Sequence, residues 1–195
     1  MQITGAPHRV TDAVLAEAKE KWSDRFAPLP GPRIALIVGG DTKRRTFTPG
    51  MAGELGKTAS AMAIAAGGSL LVSTSRRTRD EAAAALFNEI GETPNSVFSW
   101  GNEGENPYFG YLACAEAVIV TGDSVSMCSE ACAQENPVYI YAPRKLVAHK
   151  HAKLHKELYE RGFARRLEGV LENWTHPPLN AAGAIAAEIR KRMGL

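Results

Sequence analysis

The sequence has few cysteines, no long apolar run and almost no net charge. Its three cysteines lack the spacing of a disulfide framework, and the N-terminus lacks the basic-then-apolar pattern of a secretory signal. No run approaches the roughly 20 apolar residues of a transmembrane helix. The 23 Lys and Arg against 21 Asp and Glu leave a charge of only +2, which argues against a surface built to neutralise nucleic-acid phosphates. We therefore expect a cytoplasmic protein with no nucleic-acid partner.

Strand-like and helix-like patterns alternate along most of the chain. Short apolar runs predict strands at residues 34–38, 69–74, 96–100, 117–120 and 138–141. Helical periodicity predicts the intervening helices at residues 52–66, 79–90, 108–115 and 126–134. This alternation is typical of an α/β fold, and we expect a Rossmann-like parallel sheet of five or six strands with helices on both faces.

The two ends of the chain flank this α/β region. An amphipathic helix is predicted at 11–26 and is followed by a Pro-rich linker, so residues 1–32 are assigned to an N-terminal helix and linker. Residues 33–179 are assigned to a nucleotide-binding domain and residues 180–195 to a C-terminal helix. A basic helix with several histidines is predicted near 150–161.

Ligands of open parallel sheets bind outside the carboxyl ends of the strands, so the residues that follow each strand are candidates. Gly39 and Gly40 allow a tight turn whose outward N–H groups attract phosphate oxygens, and Asp41 completes this turn. An ordinary glycine turn is the alternative. The basic residues at 43–45 add contacts to an anion in one interpretation and form a solvated face in the other.

The second and third strands also end in candidate ligand-binding residues. The second strand runs into Thr74, Ser75, Arg76 and Arg77. Hydroxyl and guanidinium groups suit phosphate or ribose, although Thr78 or Ser75 is also suited to cap the next helix. Trp100 follows the third strand, where it is predicted either to lie along a flat base or to serve as a buried anchor.

The fourth strand runs into a Gly-Asp-Ser turn that has two interpretations. In the first, Ser124 is the nucleophile of a hydrolase. A G-x-S-x-G elbow requires a glycine where this chain has Ser126, and the other hydrolase pattern requires a late Asp-x-x-His, but no aspartate occurs after Asp123. A serine hydrolase is thus a remote alternative. In the other interpretation, the turn and Met127 contact a ligand at the start of a helix. Glu130, one turn inside that helix, is then predicted to accept hydrogen bonds from the ribose hydroxyls. The alternative is that Glu130 is an exposed surface residue.

Metal ligands, cofactors and catalytic residues are not predicted. Cys128 and Cys132 are four residues apart on one helix, but no companion pair of ligands accompanies them, so they are interpreted as core residues. His151 and His155 share a helix face, but the lysines around them would repel a cation. The basic helices are interpreted as solvated faces or as contacts for an anionic surface.

Residues 115–138, with their Ser-rich turn, Ser-Glu pair and following Pro, resemble the nucleotide-sugar signature in the C-terminal domain of two-domain (GT-B) glycosyltransferases. This resemblance implies a diphosphate at Gly39 and Gly40, and an acceptor site and catalytic base in a separate N-terminal domain. Three positions depart from the pattern, because Lys43, Ser124 and Glu135 stand where that family has glycine. The main hypothesis is nevertheless a nucleotide or nucleotide-sugar binding domain that takes a nucleoside diphosphate or its sugar.

The stretches GAPHRVT, IVGGD, STSRRT, TGDSVSMCSEA and ENPVYIY more closely resemble the family named after the plant mitochondrial fission factor "elongated mitochondria". The matches occur in order across nearly the whole chain. They imply that the chain corresponds to the C-terminal half of a longer protein, with an N-terminal domain missing. They also supply the alternative hypothesis, which is a non-catalytic interaction module that contacts a membrane surface.

Overall fold

Six parallel strands form one sheet within residues 3–194, the part of the chain that the computed structural model describes. The strands are β1 (Arg33–Val38), β2 (Ser69–Thr74), β3 (Asn95–Phe98), β4 (Ala117–Thr121), β5 (Val138–Tyr141) and β6 (Arg165–Arg166). The α/β Rossmann-like fold with an open parallel sheet is thus confirmed. The short β6 was not located from the sequence because two exposed arginines carry no apolar signal.

Seven helices surround the sheet in the described part of the chain. They are α1 (Asp12–Phe26), α2 (Pro49–Ala65), α3 (Asp80–Ile90), α4 (Tyr108–Cys114), α5 (Val125–Ala131), α6 (His149–Glu160) and α7 (Ala181–Met193). Their positions agree with the predicted helices, but α5 ends at Ala131 rather than at 134. The chain there leaves the helix at Cys132, where the N–H of Cys132 donates to the carbonyl of Cys128 and the N–H of Ala133 donates to the carbonyl of Glu130. None of these helices combines the length and apolar content needed to cross a bilayer.

The order of the strands places a crevice at the centre of the sheet. The order is β3-β2-β1-β4-β5-β6, so β1 pairs with β2 on one side and with β4 on the other. The direction of chain progression reverses between β1 and β4. At such a reversal the connecting helices leave toward opposite faces, and a crevice opens at the carboxyl ends of the two strands.

Alternation along the strands gives the sheet two apolar faces. In β1, Ile34 and Leu36 contribute to one core cluster and Ala35 and Ile37 to the other, because successive side chains of a strand point to opposite faces. All four are essentially inaccessible to solvent. This double burial explains why the strands are continuous apolar runs rather than alternating patterns.

The N-terminal helix α1 packs against α4. The rings of Trp22 and Phe26 stack with their centroids 5.8 Å apart, and Phe26 lies 5.2 Å from the ring of Tyr111 in α4. All three side chains are buried and belong to one core cluster. Helix α1 therefore stabilises the face of the sheet that α4 covers, and it fixes the start of α4 beside the strand ends.

Candidate functional site

The crevice between β1 and β4 is filled by the protein's own side chains. The N–H of Gly39 donates to Thr121 Oγ1 at 2.7 Å, and the N–H of Gly40 donates to Asp123 Oδ2 at 3.0 Å. A Cβ atom at Gly39 would overlap the Asp123 carboxylate, so only glycine permits this close approach. The sequence predicted a phosphate at the glycine turn, whereas in this structure the acceptors of its N–H groups are Thr121 and Asp123 of the same chain.

Arg77 completes this buried arrangement. Its Nη1 lies 2.5 Å from Asp123 Oδ2 and also donates to the carbonyl oxygen of Asp41 at 3.0 Å. The Asp123 side chain is completely buried, whereas the Arg77 side chain is 34% exposed. Burial of a carboxylate is unfavourable unless it is paired and hydrogen-bonded, so Asp123 depends on Arg77 and the Gly40 amide. We name the contacts among Gly39, Gly40, Arg77 and Asp123 the aspartate lock.

The loops that follow β1 and β2 are also joined to each other. The Ser75 hydroxyl donates to the carbonyl of Gly39 at 2.8 Å, and the N–H of Asp41 donates to the carbonyl of Arg77 at 2.9 Å. Gly40 has a φ of +152°, and a Cβ there would overlap the Arg77 carbonyl. Ser75 is therefore a link between two loops rather than a helix cap, and the strand ends form a rigid platform.

A cleft of about 420 Å³ opens beside the aspartate lock, over the carboxyl ends of β1 and β2. It brings together seven of the residues predicted from the sequence, which are Thr74, Ser75, Arg76, Arg77, Trp100, Met127 and Glu130. The other six predicted residues do not line its wall: Gly39, Gly40, Asp41, Asp123, Ser124 and Ser126. Gly39, Gly40 and Asp123 belong to the buried aspartate lock, Arg77 belongs to both the lock and the cleft, and Asp41, Ser124 and Ser126 belong to neither.

Trp100 is an open wall of this cleft rather than a buried anchor. Its side chain is 59% exposed, which shows that the anchor interpretation was wrong. Its backbone N–H donates to Thr74 Oγ1 at 2.9 Å, so the end of β2 fixes the position of the residue. A flat indole held at the rim by its backbone is suited to stack on a planar ring.

Glu130 faces the same cleft and is held by a tyrosine. The hydroxyl of Tyr108 donates to Glu130 Oε2 at 2.5 Å. Burial and, next, the charge of Glu130 raise the pKa of Tyr108 well above its usual value, so the phenol keeps its proton and donates. The carboxylate is thereby oriented, and its other oxygen is available to accept from a ligand hydroxyl.

The sequence prediction missed four residues of the cleft wall, which are Val38, Ser73, Asn106 and Tyr108. Asn106 Oδ1 accepts a hydrogen bond from the N–H of Tyr108 at 3.0 Å, and this bond closes a turn at the start of α4. The Asn-Pro-Tyr pattern is a helix-start signal, which placed Tyr108 on a helix without indicating where that helix lies. The contact with Glu130 joins residues 22 positions apart and follows from the tertiary arrangement that brings the start of α4 beside α5.

Ser124 acts as the N-cap of α5. Its Oγ accepts from the N–H of Met127 at 3.3 Å, and within residues 3–194 its hydroxyl bonds to no histidine. Ser126 is exposed on the first turn of the helix. Capping accounts for Ser124, so the nucleophile hypothesis gains no geometric support.

The histidines and cysteines near the strand ends are buried. His155 is 3% exposed, and its Nε2 lies 3.8 Å from Cys128 Sγ. Burial lowers the pKa of His155 to about 4 and raises the pKa of Cys132 to about 12. Cys128 and Cys132 belong to the core, as the sequence suggested, and the described residues contain no group of three or more potential metal ligands.

Comparison with known proteins gives consistent results. Residues 1–193 match the model of the family described as "Mitochondrial fission ELM1". The chain is 35% identical over 194 residues to "Mitochondrial fission protein ELM1" of Arabidopsis thaliana, a match that covers 97% of the chain and 44% of the plant protein. It is 33% identical over 197 residues to "Uncharacterized protein RP120" of Rickettsia prowazekii, covering 96% of the chain and 54% of that protein. The chain thus spans about half the length of these relatives.

Proposed function

Because the chain belongs to the mitochondrial fission ELM1 family, we propose that it is an interaction module of a fission-factor-like protein whose strand-end cleft binds a nucleotide or a nucleotide-sugar. The main support is that the cleft gathers an exposed aromatic ring, an oriented carboxylate and two arginines around one cavity. Its volume of about 420 Å³ lies within the range of small-molecule sites, roughly 300 to 1,000 Å³.

Each part of a nucleotide has a chemically matched group in this cleft. We assign the base to the face of Trp100 and the ribose hydroxyls to Glu130. Because the Gly40 amide already donates to Asp123, we assign the phosphates to the exposed guanidinium of Arg76 and the adjoining Arg77. The phosphates in this proposal lie on the β2 side of the crevice and not on the glycine turn.

Replacing Trp100 with alanine should weaken nucleotide binding by about 1–3 kcal/mol, because stacking of a base on an aromatic ring contributes that much. Isothermal titration calorimetry with UDP, GDP and ADP measures the loss.

Glu130→Gln should also weaken nucleotide binding in the same titrations, since the amide replaces one charged acceptor by a donor. The control is Trp174→Ala, because Trp174 packs on Tyr139 away from the cleft and its loss should leave the affinity unchanged.

Two results would contradict the proposal. One is the absence of binding heat with all three nucleotides while circular dichroism shows a folded protein. The other is an affinity that Trp100→Ala and Trp174→Ala reduce equally, since that would place the ligand away from the cleft.

A further inference from the structure

The basic turn after β1 faces the beginning of α6. Lys43 and Arg44 line a cleft of about 500 Å³ together with Lys150 and His151 of α6. Thr42 and Ala148 complete its wall, and none of these residues belongs to the wall of the Trp100 cleft. This second cleft, which we name the α6 cleft, therefore lies apart from the proposed nucleotide site.

The N-terminus of α6 has an unusual charge distribution. The positive end of a helix dipole is normally accompanied by a side-chain cap and by acidic residues in the first turn. Ala148 at the cap position has no side-chain acceptor, and the first turn contains His149, Lys150 and His151 but no acidic residue. Within residues 3–194 the N–H groups of His149 and Lys150 have no acceptor, whereas the N–H of His151 donates to the carbonyl of Ala148. The two free N–H groups and the Lys150 side chain concentrate positive charge, which a bound anion would offset.

His151 provides an observation that is independent of the charge at the start of α6. Its side chain is buried, with 9% of the residue exposed, and its Nδ1 has no hydrogen-bond partner among residues 3–194. A buried polar atom without a partner is unfavourable and rare in folded proteins. The imidazole belongs to the wall of the α6 cleft, so a group bound in the cleft lies beside it.

More positive charge surrounds the same two segments. A cavity of about 550 Å³ adjoins the α6 helix on the side of Arg45 and His149, and Arg144, Lys145 and Arg166 also line it. In the described part of the chain, neither cavity has an acidic side chain in its wall. Lys43, Arg44 and Lys150 form no ion pair with the residues at 3–194.

We propose that the α6 cleft binds a phosphate-bearing polyanion, which is either a soluble phosphate ester or the phosphorylated headgroup of a lipid. Phosphate oxygens accept from the N–H groups of α6, from Lys43 and Arg44, and from the imidazole of His151. Phosphate fits better than a carboxylate ligand because it presents several acceptor oxygens and about two negative charges to donors that come from two directions.

Titration with inorganic pyrophosphate at physiological ionic strength tests this site. The wild-type protein should bind it, and the double variant Lys43→Glu with Arg44→Glu should bind about tenfold or more weakly, since each charge-assisted hydrogen bond is worth that factor. Both residues are exposed, so the fold should persist. Arg190→Glu with Lys191→Glu is the matched control, because it makes the same charge change on exposed residues of α7.

The variant Lys150→Glu separates the binding role from a structural one. A glutamate in the first turn of α6 favourably meets the helix dipole, so the melting temperature without ligand should rise slightly. The same carboxylate repels an anion, so pyrophosphate should raise the melting temperature of the wild type but not that of Lys150→Glu. A wild-type melting temperature that does not respond to pyrophosphate counts against a soluble ligand.

Co-sedimentation with phosphatidylcholine vesicles, with and without a phosphorylated inositol lipid, identifies the source of the phosphate. Binding that requires the phosphorylated lipid and the pair Lys43 and Arg44 supports a headgroup, whereas binding of pyrophosphate alone supports a soluble ester. The proposal is overturned if neither pyrophosphate nor the phosphorylated lipid binds. It is also overturned if Arg190→Glu with Lys191→Glu loses as much affinity as Lys43→Glu with Arg44→Glu. If Lys43→Glu with Arg44→Glu leaves the affinities for UDP, GDP and ADP unchanged, the α6 cleft and the proposed nucleotide site are separate.

Discussion

Replacing Asp123 with alanine should lower the free energy of unfolding by about 3 kcal/mol, because the change leaves the Gly40 N–H without an acceptor and Arg77 without its partner. The carboxylate is completely buried, and Gly39 packs directly on it, so no water replaces it without rearrangement of the loop. The estimate is at the lower end of the range for a broken buried pair because Arg77 is 34% exposed and regains some hydration. Urea denaturation followed by circular dichroism measures the loss.

The same loops contain a matched control. Arg79 Nε lies 2.5 Å from Asp41 Oδ2, but the Arg79 side chain is 62% exposed. Water screens such a pair, so Arg79→Ala should cost less than about 1 kcal/mol. If Asp123→Ala were no more destabilising than Arg79→Ala, the aspartate lock would not stabilise the strand ends in the way we infer.

Acidification from pH 7 to pH 5 should lower the free energy of unfolding by about 2 kcal/mol through His155 alone. Burial is the main cause that lowers its pKa from 6.5 to about 4, and His151 adds to the effect. The unfolded chain therefore binds a proton below pH 6.5 that the folded protein does not accept until about pH 4. The stabilising contribution is complete above pH 6.5 and is lost as the pH falls toward 4.

Two variants identify His155 as the origin of this pH dependence. His155→Gln removes the titrating group, so urea midpoints measured from pH 7 to pH 5 should change less steeply than those of the wild type. A smaller slope remains, because burial lowers the pKa of His151 as well. Leu158→Ala, a buried change on the same helix, should lower stability at every pH and keep the wild-type slope. An unaltered slope in His155→Gln would assign the acid sensitivity to other groups.

The chain order of the elements and the general position of the site were predictable from local patterns. Apolar runs such as 34–38 and 117–120 had to be strands of a parallel sheet, since both of their faces are buried. The rule that ligands bind at strand ends then indicated Trp100 and Glu130, which the structure places in one cleft. Membership of the fission family also followed from the order of the quoted stretches, and the match over residues 1–193 confirms it.

Contacts between distant residues decided the rest. The N–H groups of Gly39 and Gly40 meet Thr121 and Asp123, which are 82 and 83 positions away in the chain. A glycine turn has the same local pattern whether it binds a phosphate or a carboxylate of the same protein, so the sequence could not distinguish these cases. Tyr108 was missed for the same reason, because its role depends on the distant contact that it makes with Glu130.

The sequence by itself determined the α/β alternation, the family and the chemical types of residue at the strand ends, since each depends on local periodicity or on short motifs. Only the tertiary structure decided which of those residues are free to meet a ligand. Asp123 Oδ2 pairs with Arg77 and helps to fill the central crevice, whereas Trp100 stays exposed, and Asp123 Oδ1 and His151 Nδ1 have no hydrogen-bond partner among residues 3–194. The physical reason is that hydrogen-bond satisfaction and burial are properties of the assembled molecule, and they determine where binding capacity remains.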